Sequence, residues 1–216
     1  YYDREGADEL VFLDIVASKL KKSISLVLVT RIGEEAFMPT AVGGGISDIE
    51  TVETVLKAGA EKVVINTAIF PNLLFIEEIS KYFGSQSIIA SIDVKADLLG
   101  RIQSWSMGGS RNNKIDPIQL AIDVQNAGAG EILLTSINRD GTMTGYDLQV
   151  IHDVSTAVSI PVIACGGAGD LIHFKQAFDA GAHALAAGSF FVYHGNRNAV
   201  LINYPTKNEL RKVFIN

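Results

Sequence analysis

An α/β barrel of the (β/α)8, or TIM, type is the fold this sequence predicts, built from two duplicated half-barrels and with its first βα unit absent. Three observations carry that expectation. Short apolar runs rich in Val, Ile and Leu alternate with helix-like segments along all 216 residues. Residues 39–67 align without a gap on residues 161–189, an offset of 122. Glycine clusters follow strands at two places that this offset superimposes.

The expected strands are residues 9–14, 40–42, 62–65, 87–94, 131–135, 162–165 and 184–187. Their apolar character is continuous rather than alternating, as parallel strands covered by helices require. The intervening segments carry helix punctuation. Ser47-Asp48 before Ile49 reads as an N-cap, while Ala58-Gly59 and Ala180-Gly181 read as helix ends. Residues 101–107, which include Trp105, are expected to form a hairpin after the fourth of these strands.

The 122-residue offset gives seven identities in 29 positions, among them Gly44 with Gly166, Gly45 with Gly167 and Asp48 with Asp170. Repetition at so long a period is a statement about architecture. It also predicts a missing partner. The counterpart of Asp93 would fall at 93 minus 122, before Tyr1, so these residues are expected to be strands two to eight of the barrel. Roughly forty further residues would bring the chain to the ~250 typical of the fold. An open barrel of this kind leaves a sheet edge unpaired, a liability for aggregation.

Composition bounds the function. Eighteen basic against 24 acidic residues give a net charge of -6, with 48% hydrophobic and 8% aromatic side chains. At about 100 to 200 residues per domain, residues 1–216 are expected to form a single domain. The acidic balance, without a Lys/Arg cluster, excludes a nucleic-acid or membrane-surface protein, since both need a basic footprint. A phosphorylated small molecule remains open. Cys165 is the single cysteine and cannot form an internal disulfide, which suits a reducing, cytoplasmic compartment. The charged start, Tyr1 to Glu5, has neither the basic nor the apolar region of a secretory signal, and no run reaches membrane-span length. His152, His173, His183 and His194 show no ligand spacing, so no metal and no cofactor are expected.

Gly43-Gly44-Gly45 and Gly166-Gly167 each stand between a strand and a helix, where backbone amides and the helix dipole favour an anion. The next strand of each half ends in Asn66-Thr67 or Gly188-Ser189, the phosphate-binding position of barrels. One such turn is as easily a tight turn; two at equivalent positions favour phosphate sites, and two sites imply a bisphosphorylated ligand. Charged residues at the C-terminal ends of strands read as catalytic in this fold. Asp93 and Asp14 qualify, and burial would raise Asp93 toward acid/base work, against the plainer possibility of a salt bridge to Lys95. The segment 135–142, with Thr135 and Asp140, reads either as part of that site or as a capped polar loop. At the opposite mouth, Glu9, Lys62 and Glu131 open their strands, and period two places them with Val11, Val64 and Leu133. A stability ring is the favoured reading from spacing, a gated passage to a partner the other.

Several motifs resemble those of the cyclase subunits of imidazole glycerol phosphate synthase: Asp8 to Asp14, Val42 to Ile46, Ile65 to Ala68, Phe83 to Gln86, Ser91 to Lys95, Gly128 to Ile137, Arg139 to Thr142 and Gly166 to Gly169. The resemblance covers essentially the whole chain. It implies a lyase of histidine biosynthesis that converts a ribulosyl aminoimidazole carboxamide nucleotide to imidazole glycerol phosphate and AICAR. Ammonia comes from a glutaminase partner, as a heterodimer, docked on the N-terminal face of the barrel. By resemblance, Asp93 is one of two aspartate acid/base catalysts, the other lying on the absent strand. Gly45, Asn66 and Thr67 hold one phosphate, Gly166, Gly167, Gly188 and Ser189 the other, and Thr135 and Asp140 shape the centre. Glu9, Lys62 and Glu131 match the family's ammonia gate, whose arginine also belongs to the absent strand, which turns the ring from a stability device into a gate.

Cys165, Asn138 and Gly188 depart from the family's usual serine, aspartate and alanine. Residues 195–205 and 141–147 look more like a paralogous branch linked, with a glutaminase-like partner, to amidino groups on surface-polysaccharide sugars. A non-catalytic scaffold that activates its glutaminase is the third expectation, and a sugar isomerase of the sister family a further one.

Overall fold

The structure is a computed structural model describing residues 1–97, 99–194 and 199–215. Residues 195–198 of the branch-specific tail lie outside the described residues. Seven parallel strands follow one another in chain order: β1 (Leu10–Leu13), β2 (Thr40–Gly43), β3 (Lys62–Ile65), β4 (Ile88–Ala96), β7 (Glu131–Ser136), β8 (Val162–Cys165) and β9 (Ala184–Leu185). Between β4 and β7, β5 (Ile102–Ser106) and β6 (Arg111–Asn112) form an antiparallel ribbon on β4. Each expected strand is present to within two residues at either end. β4 runs two residues further than expected because β5 folds back on it, pairing Asp93 with Trp105 through to Ala96 with Ile102.

Helices α2 (Leu26–Glu35), α3 (Ile49–Lys57), α4 (Leu74–Phe83), α5 (Pro117–Asn126), α6 (Leu148–Ala157) and α7 (Leu171–Asp179) connect the strands, after a short α1 (Tyr2–Glu5). The chain continues through α8 (Ser189–Val192) and α9 (Lys207–Phe214). The duplication is visible residue by residue. Asp48 caps α3 by accepting from the Thr51 amide at 2.8 Å, and Asp170 caps α7 by accepting from the Ile172 amide at 2.9 Å. Beyond the two helices, Gly59 and Gly181 take φ of 113° and 106°, values that side chains rarely adopt.

Strand alternation divides the apolar residues into two layers. Val42, Val63, Ile88, Ile92, Ile132 and Val162 face the helices. Ala41, Val64, Ile89, Leu133 and Ile163 meet one another on the other face, with Val11 and Ala186 packed against them. The sheet curls into a barrel wall, since Lys62 of β3 reaches Glu9 before β1 and Glu131 of β7, each two strands away. β1 and β9 end the strand order and do not pair with each other among the described residues. Beside β1, Ile15, Leu20 and Val27 remain exposed. No helix among the described residues is long and apolar enough to cross a membrane.

Candidate active site

The strands carry three lumen-facing residues to one level at their C-terminal ends. Asp93 is the register partner of Thr135, and Thr135 of Cys165, so β4, β7 and β8 present a carboxylate, a hydroxyl and a thiol side by side. One layer below, Ser91 donates to Asp93 Oδ1 at 3.3 Å. Burial pushes the Asp93 carboxyl up from its ordinary 3.8 to about 6; the Ser91 hydrogen bond offsets part of this, and the charge of Asp140 adds to it. Burial likewise pushes the Cys165 thiol up to about 11, with Asp140 again contributing, so Cys165 is neutral at pH 7. The alternative partner weighed for Asp93 does not engage it: no ion pair joins Asp93 and Lys95 among the described residues.

The two glycine turns flank this row. Gly44 and Gly45 have φ of 136° and 64°, and a Cβ on either would press into the loop after β1, at Asp14 and Lys22 respectively. Gly166 and Gly167, at 90° and 109°, close in the same way on the backbone after β7, at Ser136 and Gly145. Both copies are tight turns that only glycine fits. At the helix that follows each turn, one amide is capped by a carboxylate: Thr51 N donates to Asp48 in α3 and Ile172 N to Asp170 in α7. Asn66 bonds Ser91 O at 3.0 Å through Nδ2 and accepts from Thr67 Oγ1 at 3.3 Å. Ser189 begins α8 beside Gly141 of the loop that carries Asp140. Gly188, unlike the other glycines of the site, has open space where a Cβ would stand, so its departure from the usual alanine alters no contact.

The loop after β7 is also a hydrogen-bonded turn in its own right. The amides of Arg139 and Asp140 donate to Ser136 O at 3.1 and 2.9 Å, and the Arg139 guanidinium is turned inward onto Gly145 O at 3.3 Å. Asp140 stays exposed, close enough to act on Asp93 and Cys165 through its charge. Asp14 is used locally, accepting from the amides of Val16 and Ala17 at 3.1 and 3.0 Å.

At the N-terminal ends of the strands, Lys62 Nζ lies 2.7 Å from Glu9 Oε2 and 2.8 Å from Glu131 Oε1. These residues come from β3, the entry to β1, and β7, which are not neighbours in the sheet; they meet across the lumen. Burial alone would lower the Lys62 pKa, but the hydrogen bonds and charges of Glu131 and Glu9 outweigh it and raise the value. Glu9 Oε1 is buried without a hydrogen-bond partner. Sequence reasoning did not single out Ser91 or the Trp105 ring as parts of the mouth, although period two from Asp93 points to Ser91 and to Lys95.

Comparison with known proteins agrees with this geometry. The family model described as histidine biosynthesis protein matches residues 1–198. A Pseudomonas aeruginosa protein bearing the name of an imidazole glycerol phosphate synthase subunit, hisF2, is 41% identical over 210 residues, 97% of this chain and 84% of its own length. The imidazole glycerol phosphate synthase subunit HisF of Petrotoga mobilis is 42% identical over 216 residues, covering 100% of this chain and 84% of that protein. HisF of Streptomyces coelicolor is 45% identical over 190 residues, 88% of this chain and 76% of its own. With most of its length matched and its barrel wall assembled, the chain belongs to the histidine biosynthesis protein family.

Proposed function

We propose that this chain is the cyclase subunit of an imidazole glycerol phosphate synthase, a lyase that uses ammonia to close the imidazole ring of imidazole glycerol phosphate and release AICAR. The observation that carries the reading is Asp93: a lumen-facing carboxyl with a pKa near 6, set between two equivalent glycine turns at the C-terminal mouth. A group with that pKa holds both protonation states near neutrality, so Asp93 can both give and take protons as one of the two aspartate catalysts the resemblance implies. Gly45, Asn66 and Thr67 hold one phosphate of the substrate. Gly166, Gly167, Gly188 and Ser189 hold the other, so the reacting carbons lie over Asp93, Thr135 and Asp140.

Ammonia enters from the opposite mouth, where a glutaminase subunit docks on the N-terminal face. Glu9, Lys62 and Glu131 form the gate. The unpartnered Glu9 Oε1 supports this, because a buried carboxylate oxygen facing the lumen is a place for one further cation or a passing ammonia.

Turnover of the ribulosyl aminoimidazole carboxamide nucleotide by the full-length protein with ammonium salt, in the absence of a partner, tests the reading. Turnover that disappears in Asp93→Asn supports it. A folded protein that binds the nucleotide without turning it over would move the assignment to the amidino-sugar branch, which residues 141–147 and 195–205 resemble. A protein that only stimulates its glutaminase would be the scaffold.

A further inference from the structure

Lys95 stands two residues beyond Asp93 on β4, on the same lumen side, and is half-buried. It forms no ion pair among the described residues. Its ammonium rests over the Trp105 ring, 5.0 Å from the centroid. The ring is held in turn: indole Nε1 donates to Lys95 O at 3.2 Å, and Trp105 is the register partner of Asp93. A lysine over an aromatic face keeps its charge but gains no hydrogen-bond acceptor there, so a better partner can draw it away.

The ribbon that carries Trp105 is fastened to the Asn66–Thr67 turn. Asn66 Nδ2 donates to Trp105 O at 3.4 Å, and the amide of Met107 donates to Thr67 Oγ1 at 3.1 Å. Met107 adopts φ of 54° to make that bond, a conformation uncommon outside glycine. The turn itself offers an anion only neutral donors, from Gly45, Asn66 and Thr67. A phosphoryl group carrying about -1.5 to -2 charges would be bound there without a cation. Charge-assisted hydrogen bonds are roughly twice as strong as neutral ones. Lys95, on a flexible four-carbon stem, is the cation that rests on the ribbon fastened to this turn.

We propose that Lys95 is the cationic contact for the ligand's phosphoryl group at the Asn66–Thr67 turn, moving from the Trp105 face to that group when ligand binds. The inference rests on the phosphate-binding role given above to Gly45, Asn66 and Thr67. It makes Lys95 a binding residue for the substrate's charged end, and Trp105 its resting place and its reporter.

Trp105 is the chain's single tryptophan, so its emission reads the movement directly. The protein is titrated with inorganic phosphate and with the bisphosphorylated ribulosyl nucleotide, at low and high NaCl. Wild type is expected to change its emission on binding both probes. Lys95→Met weakens binding about tenfold and flattens its salt dependence, Lys95→Arg restores binding to within about threefold, and Lys57→Met, a charge change on the exposed face of α3, alters nothing. Binding measured by calorimetry covers the case in which a variant alters emission alone. If Lys95→Met binds within twofold of wild type while Thr67→Val weakens binding, the role of Lys95 is overturned and the phosphate site stands. If wild type binds neither probe, the phosphate reading falls and the role of Lys95 with it.

Discussion

Replacing Asp93 by Asn is expected to stabilise the protein above neutral pH while removing turnover. The magnitude follows from burial. The folded carboxyl has a pKa of about 6 against an ordinary 3.8, a difference of about 2 units, and each unit corresponds to about 1.4 kcal/mol, so up to about 3 kcal/mol is at stake. Between these two pH values the folded state binds the proton more tightly than the unfolded chain. Stability therefore falls as pH rises from 3.8 to 6 and carries the full penalty above that window. Asn is neutral throughout and still offers an oxygen to the Ser91 hydroxyl, which donates to Oδ1 in the wild type. The variant should match the wild type near pH 3.5 and exceed it by about 1 to 3 kcal/mol at pH 8. Urea denaturation of both proteins at a series of pH values measures this, since the titrations of other groups cancel in the difference. An offset that does not change with pH, or a variant less stable at pH 8, would refute the argument that the active-site carboxyl is held against its own desolvation.

Lys62→Met leaves Glu9 and Glu131 facing each other across the lumen. Breaking a fully buried pair costs about 3 to 5 kcal/mol, and side-chain exposures of 18 to 24% reduce the expected loss here to about 2 kcal/mol at pH 7. Because the Lys62 pKa is raised, its contribution is fully present below about 10.5 and is lost as pH climbs through the folded value, so only the wild type should lose this stability in alkaline denaturation scans. Gly45→Ala forces a Cβ into the Lys22 carbonyl at a φ of 64°; a loss of about 1 to 3 kcal/mol in thermal unfolding and weakened phosphate binding are expected, and an unchanged Tm would show that the turn relaxes freely. Cys165, pushed by burial to about 11, should react with a thiol reagent at pH 8 far more slowly in the native protein than in urea. Rapid native labelling would mean that the lumen admits water at its level.

The parallel strands were legible because each is a short apolar run with no polar face to misplace, and the half-barrels because the chain repeats itself. Asp48 and Asp170 could be read as equivalent from the offset alone, and they are capping residues with the same backbone geometry. An aspartate at a helix start reads equally as a cap and as part of a polar turn, and only the hydrogen bonds to Thr51 N and Ile172 N show which it is. The lumen ring was legible in its members but not in its function, since period two fixes which side Lys62 faces and cannot say that residues from β1, β3 and β7 meet. The place of Trp105 depended on where β5 folds back, a register that no periodicity in 101–107 encodes.

Duplication explains why the mouth has two similar ends, and departures from it explain where chemistry resides. Both halves supply a glycine turn packed on the preceding loop, a capped helix and a small polar turn after the next strand, so each end can take a like-charged group of a long ligand. Charge does not follow the repeat. Asp93 has its acid neighbour Asp140 on the loop after β7, while Lys95 and the ribbon bearing Trp105 belong to β4 alone. On the proposed reading, a ligand held by the two ends meets unequal charges, with Lys95 on the strand next to the Asn66–Thr67 turn and Asp140 on the loop beside Ser189. Binding energy from the two ends can then be spent on holding the reacting atoms over Asp93. A symmetric ligand would bind in either direction, whereas the substrate of a ring-closing reaction must bind in one, and Lys95, which forms no ion pair among the described residues, is on the proposed reading the feature that distinguishes them.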